Sequence, residues 1–135
     1  MPCPYFVPTS PVARIEPGGR FPLIDAFFGD CHATEMPAPA PDGMLIPCCN
    51  HGYSRAECPN FPPEDDRSAL RYSIVRRSPE FLDFVVIIER GYTPVTWQTI
   101  RYCIESGELE SACVDRVIQA QALAFSKAYL RRFPN

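Results

Sequence analysis

Between residues 68 and 104 apolar and polar positions alternate with the period of two that marks β-strands. In residues 69–75, Leu70, Tyr72 and Ile74 share one face. Residues 77–80, around Pro79, read as a turn. Residues 81–89 are dense in Phe, Val and Ile, side chains that suit a buried pleated surface. Residues 91–94 give a second turn, and residues 95–104 a third strand, with Trp97 and Tyr102 as its large side chains. This order predicts an antiparallel meander of three strands. From about residue 108 to 132 the period becomes helical. Cys113, Val117, Ala120, Ala124 and Ala128 form one stripe, widened by Val114, Ile118, Phe125 and Tyr129. Glu108, Glu110 and Asp115 stand at its start and Lys127, Arg131 and Arg132 at its end, which suits the helix dipole. The basic end is therefore read as dipole matching, with both helix ends solvated, rather than as a phosphate site.

The first 63 residues carry no such period. They hold thirteen of the sixteen prolines and five of the seven cysteines. Prolines at this density break helices and spoil central strands. Pro37, Pro39 and Pro41 read as an extended loop. Seven aromatics are interspersed: Tyr5, Phe6, Phe21, Phe27, Phe28, Tyr53 and Phe61. A solvated tail is poor in such residues, so the segment is expected to be irregular but ordered around something that holds it. The predicted fold class is α+β in a single domain, 1–135. Residues 1–63 are its irregular, metal-wrapping segment, and residues 68–135 its three-stranded sheet and one long C-terminal helix.

Composition narrows the function. With 46% hydrophobic and 21% charged residues the chain has globular averages. The longest purely apolar run is five residues, 84–88, far short of the ~18 a membrane helix needs. A net charge of −3 argues against nucleic-acid binding, which rests on many cationic contacts to phosphate. The first residues show no basic stretch followed by an apolar one, so no export signal is visible, and a reducing, cytoplasmic setting is expected. There clustered cysteines point to metal or catalysis, and an odd number cannot all pair as disulfides. Walker A, dinucleotide-binding, nucleophile-elbow and zincin patterns are lacking. Asp30-Cys31-His32 could be drawn as a nucleophile with its base, but sequence neighbours rarely face one another. Glu64-Asp65-Asp66 reads as a solvated linker.

Cys3, Cys31, Cys48 or Cys49, and Cys58 are separated by 27, 16 or 17, and 8 or 9 residues, with no C-x-x-C step. Zinc ribbons use short knuckles, so the spacing weakens that reading. Single ligands from separate loops, two of them followed by proline, suit an iron–sulfur cluster of the [4Fe–4S] type inside a dry aromatic shell. Neighbouring side chains diverge in an extended chain, so one of Cys48 and Cys49 is expected to ligate, with Cys49 favoured. His32 and His51 are expected to be hydrogen-bonding loop residues. Cys103 and Cys113 are expected to be small core hydrophobes.

Three segments carry a resemblance: Cys3-Pro4-Tyr5-Phe6, Asp30-Cys31-His32-Ala33, and the block from Cys49-Asn50-His51-Gly52-Tyr53 to Cys58-Pro59-Asn60-Phe61. Over roughly its first half the chain resembles a family of small uncharacterised bacterial cysteine-rich proteins. That resemblance implies iron–sulfur binding and marks Cys3, Cys31, Cys49 and Cys58 as ligands, with Cys48 as the alternative to Cys49. It brings no assigned activity. The expected function is electron transfer or service as a redox accessory subunit, more a carrier than an enzyme. The alternative is a zinc-stabilised structural or interaction subunit of a larger complex. A protein redox partner, a larger complex or self-association through residues 20–61 is expected, without nucleic acid and without membrane insertion.

Overall fold

The computed structural model describes residues 2–12, 21–33, 36–40, 42–51, 58–59, 61–62, 68–110 and 115–134. Cys113, the acid run 64–66 and residues 52–57 of the cysteine block lie outside them.

The architecture is α+β: two antiparallel sheets and a C-terminal helix. In the N-terminal half, β1 (Phe6–Pro11), β2 (Phe27–Cys31) and β3 (Ala38–Pro39) form a sheet in the order β1-β2-β3. The expectation of a wholly irregular half is thereby corrected. Pro8 and Pro11 lie on one edge strand and Pro39 on the other, where a missing N–H leaves no central ladder broken. The β1–β2 ladder pairs Phe6 with Cys31 and Pro8 with Gly29, then shifts register before Ser10 pairs Phe28. Gly29 permits this approach: a Cβ there would lie 2.2 Å from the carbonyl oxygen of Val7 and 2.7 Å from the Phe6 ring. A helical turn, α1 (Asp42–Met44), then widens into a π-helical turn, Leu45–Cys49.

The C-terminal half contains the meander: β4 (Ala69–Arg77), β5 (Phe81–Arg90) and β6 (Thr93–Cys103). A short β7 (Glu108–Leu109) extends it to four strands in the order β4-β5-β6-β7. The pairs Leu70–Ile88, Tyr72–Val86, Ile74–Phe84 and Phe84–Ile100 place the alternating apolar set on one face. Leu70, Leu82, Phe84 and Val86 are fully buried there. On the opposite face Asp83 is held by Arg101 and Glu89 by Arg71, and Trp97 is 72% exposed, so Trp97 is not the core residue its size suggests.

The helix, α2, spans Arg116–Arg132 rather than beginning near residue 108. Gly107, at φ 71°, turns the chain so that Glu108 and Leu109 pair with Cys103 and Tyr102. The start signal is Asp115, whose side chain accepts hydrogen bonds from the amides of Val117 and Ile118 at 2.9 and 3.1 Å. The buried face is also rotated from the predicted stripe. Val117, Ile118, Phe125 and Ala128 of the predicted stripe are buried, but so are Gln121, Ala122 and Ser126 beside it, whereas Ala120 and Ala124 are only half-buried. The basic end is not simply solvated, because Arg131 and Arg132 both grip Asp25, at 2.5 and 2.9 Å. One hydrophobic core draws on both halves, with Phe6, Leu23, Phe27 and Leu45 joining Leu70, Phe84, Ile118 and Phe125.

Candidate metal centre

Five cysteines reach one cavity from four separate segments. Its described lining is Cys3, Tyr5, Phe6, Cys31, Ala33, Cys48, Cys49, Cys58 and Phe61, and its empty volume, mouth included, is about 310 Å³. Cys3 opens the turn that leads into β1. Cys31 closes β2, directly opposite Phe6 in the ladder. Cys48 and Cys49 end the π-helical turn. Cys58 sits beside Phe61, whose amide donates to the Cys58 carbonyl at 3.2 Å. Tyr5 and Phe61 meet edge to face, with ring centres 5.5 Å apart, and wall the cavity with apolar surface.

Every cysteine of the expected set therefore lines the same cavity, and Cys48 lines it too. The expectation that only one of the adjacent pair reaches the site rested on extended backbone. In a helical turn consecutive residues are only about 100° apart, so both can face one cavity. A π-helical turn is also a frequent marker of functional positions. The Cys48 thiol donates toward the Met44 thioether at 3.7 Å, and Cys48 is buried. Among the described residues no three His, Cys, Asp or Glu side chains form a group able to hold a metal ion as placed. The sulfurs are distributed around a cavity wall.

Burial pushes the Cys49 thiol up to about 12, and repulsion from Cys3, Cys31, Cys58 and Cys48 adds to the rise. A cation bound among such thiols would stabilise their thiolate forms together. The donor set, sulfur alone on apolar walls, fits a thiophilic metal or an iron–sulfur centre.

Two buried amides that sequence reasoning passed over hold the cysteine-bearing segments. Asn50 accepts from the Phe27 amide at 2.9 Å and donates to the carbonyls of Phe27 and Leu45 at 3.0 and 2.8 Å. It thus fastens the Cys48–Cys49 turn to the start of β2. Gln121 reaches from α2 to the backbone of Cys3 and Phe6. The signal that could have found Gln121 is its spacing: four residues from both Val117 and Phe125, it stands on the apolar face.

Neither histidine is among the described residues that line the cavity. The His51 ring packs on Phe21, with centres 5.1 Å apart, and burial lowers its pKa. Asp30 and Cys31 are consecutive in β2 and project to opposite faces, so these two side chains do not face one another. Cys103, expected in the core, is half-buried at the end of β6, and hydrogen bonds from Ser106 lower its thiol pKa. No helix among the described residues is long and apolar enough to cross a membrane. No protein-family model, curated protein or solved structure matches the chain.

Proposed function

We propose that this is a small iron–sulfur protein that holds a [4Fe–4S] cluster through Cys3, Cys31, Cys49 and Cys58, and that it serves electron transfer or a redox partner. The observation that carries the reading is the convergence of five thiols from four chain segments on one apolar cavity. Ligands arranged around a wall suit a polynuclear centre, in which each thiolate takes its own iron. When bound, such a group supplies reversible one-electron exchange. The chain's own part is to hold thiolates and exclude water. Cys49 and Phe61 are buried, Tyr5 and Phe61 line the same cavity with apolar rings, and Asn50 keeps the Cys48–Cys49 turn in place. Cys48, on the same wall, is the alternative ligand to Cys49.

A protein partner would dock where its own centre comes nearest, over the ligand loops within residues 20–61. Phe28 at 46% and Met36 at 82% exposure lie on either side of Cys31 in sequence and offer apolar anchors there.

Anaerobic purification, or reconstitution with ferrous iron and sulfide, tests the proposal. About four iron and four sulfide per chain are expected, with broad thiolate-to-iron absorption that bleaches on reduction. Stoichiometric zinc without colour would instead establish the structural-subunit alternative. Protein that takes up neither metal would refute both readings.

A further inference from the structure

Building on the reading of the cysteine cavity as a metal centre, we infer that Gln121 is a positioning residue for that centre, clamping the Cys3 turn in ligating posture from the middle of α2. Gln121 is fully buried. A buried amide is tolerated when its polar atoms are all paired, and here they find partners on two different elements. Nε2 donates to the Cys3 carbonyl at 2.8 Å and to the Phe6 carbonyl at 2.7 Å, and Oε1 accepts from the Tyr72 hydroxyl at 3.0 Å. The opposite amide orientation would set an oxygen against two carbonyl oxygens, so the network fixes which end is which.

The two carbonyls belong to the first and last residues of one turn. Phe6 donates its amide to the Cys3 carbonyl at 3.1 Å, and Pro4 occupies the second position, where its fixed φ suits a turn. A single amide group thus pins both ends of the turn that presents the Cys3 thiol. The tether continues: the Cys3 amide donates to the Cys49 carbonyl at 3.1 Å, linking the backbones of two ligands. Leu or Met would fill the same space on an apolar helix face. Glutamine adds the two donors, and both are spent on the Cys3 turn.

Thiol reactivity and metal uptake, measured on the full chain, test the inference. Metal-free, reduced protein is alkylated with iodoacetamide and the rate at each cysteine is read by peptide mass spectrometry, with Cys103 as the internal reference. In Gln121→Met, Cys3 should react on the order of tenfold faster relative to Cys103, the scale of one to two lost hydrogen bonds. Iron bound after anaerobic reconstitution should fall, with an altered absorption envelope. Gln121→Glu should behave alike, because a carboxylate cannot donate to carbonyls. Tyr72→Phe keeps both donors and should leave Cys3 reactivity unchanged while lowering the melting temperature. Wild-type Cys3 reactivity and iron content in folded Gln121→Met would overturn the inference. If that variant does not fold, hydrogen exchange on the wild-type chain decides. The Phe6 amide should exchange at the slow rate of the amides flanking Gln121 in α2, and a much faster rate would overturn the clamp. Wild-type protein that binds no iron yet shows the expected alkylation pattern would refute the iron–sulfur reading and leave the clamp standing.

Discussion

Asn50 and the cavity-lining cysteines are two kinds of residue at one site, the thiols proposed to bind metal and a buried amide that holds their backbone in place. Cys3→Ser, Cys31→Ser, Cys49→Ser and Cys58→Ser should each lose most bound metal on reconstitution. Cys103→Ala should keep it, because Cys103 bonds to Ser106 away from the cavity. Metal content by mass spectrometry checks both, and full content in Cys49→Ser would transfer the ligand role to Cys48. Asn50→Ala removes three hydrogen bonds from buried backbone. It should cost about 2–4 kcal/mol in urea unfolding, since the Phe27 amide and two carbonyls are left unpaired. The gathering of Cys3, Cys31, Cys49 and Cys58 at one cavity was legible from sequence because count, spacing and two Cys-Pro steps survive without knowledge of the fold. Asn50 and Gln121 were not, because a buried amide is distinguished from a solvated one by its partners, most of which lie 23 to 118 positions away.

Strand alternation was readable over residues 69–104 because a half-buried sheet imposes it directly on the sequence. The N-terminal sheet was not, since its proline-bearing strands are short edges stabilised by tertiary contact and carry little periodicity. The helix start was misplaced for a related reason. Glu108 and Glu110 fit a first helical turn by charge, but Gly107 closes a hairpin there and Asp115 supplies the cap. The outer face of β4, β5 and β6 hides another feature in plain charges. Asp83 accepts from Arg101 at 2.7 and 3.0 Å, with Arg76 3.5 Å away. The Arg101 hydrogen bonds hold its carboxyl below the usual aspartate range against the opposing effect of burial. A depressed native pKa means that the unfolded chain binds the extra proton in this window. The contribution is therefore fully present above about pH 4 and is lost as pH falls through the native value. Asp83→Asn should flatten the acid limb of stability below about pH 4 relative to wild type, measured as urea midpoint against pH. Parallel acid limbs would show that Asp83 does not carry the dependence.

Across the whole molecule, two kinds of cohesion meet. The meander and α2 are joined by conventional burial, with Tyr72, Phe84 and Phe125 packed ring on ring at 5.2–6.2 Å. The N-terminal half shares that core through Phe6, Leu23, Phe27 and Leu45 and is further tied by Gln121 and by Asp25 to Arg131 and Arg132. These ties fasten β1, the Cys3 turn and the segment before β2. Among the described residues, Leu45 and Cys49 join the Cys48–Cys49 turn to that core, Asn50 and the Cys3 amide tie it to its neighbours, and Phe61 beside Cys58 packs on Tyr5. A metal joining all the cysteine segments would add a covalent cross-link to these contacts, and its binding free energy would become folding free energy for those loops. Removing it by chelation under anaerobic conditions should therefore loosen the ligand loops first and leave the four-stranded sheet and α2 folded. Limited proteolysis should then cut within residues 31–62, ahead of any cleavage in 69–103 or 116–132, while β1 persists longer than the loops because α2 covers it. Metal-free protein as resistant as the loaded form would show that the shared core alone holds the N-terminal half. Simultaneous cleavage in both halves would show that the metal, if present, stabilises one cooperative unit rather than the loops that carry its ligands.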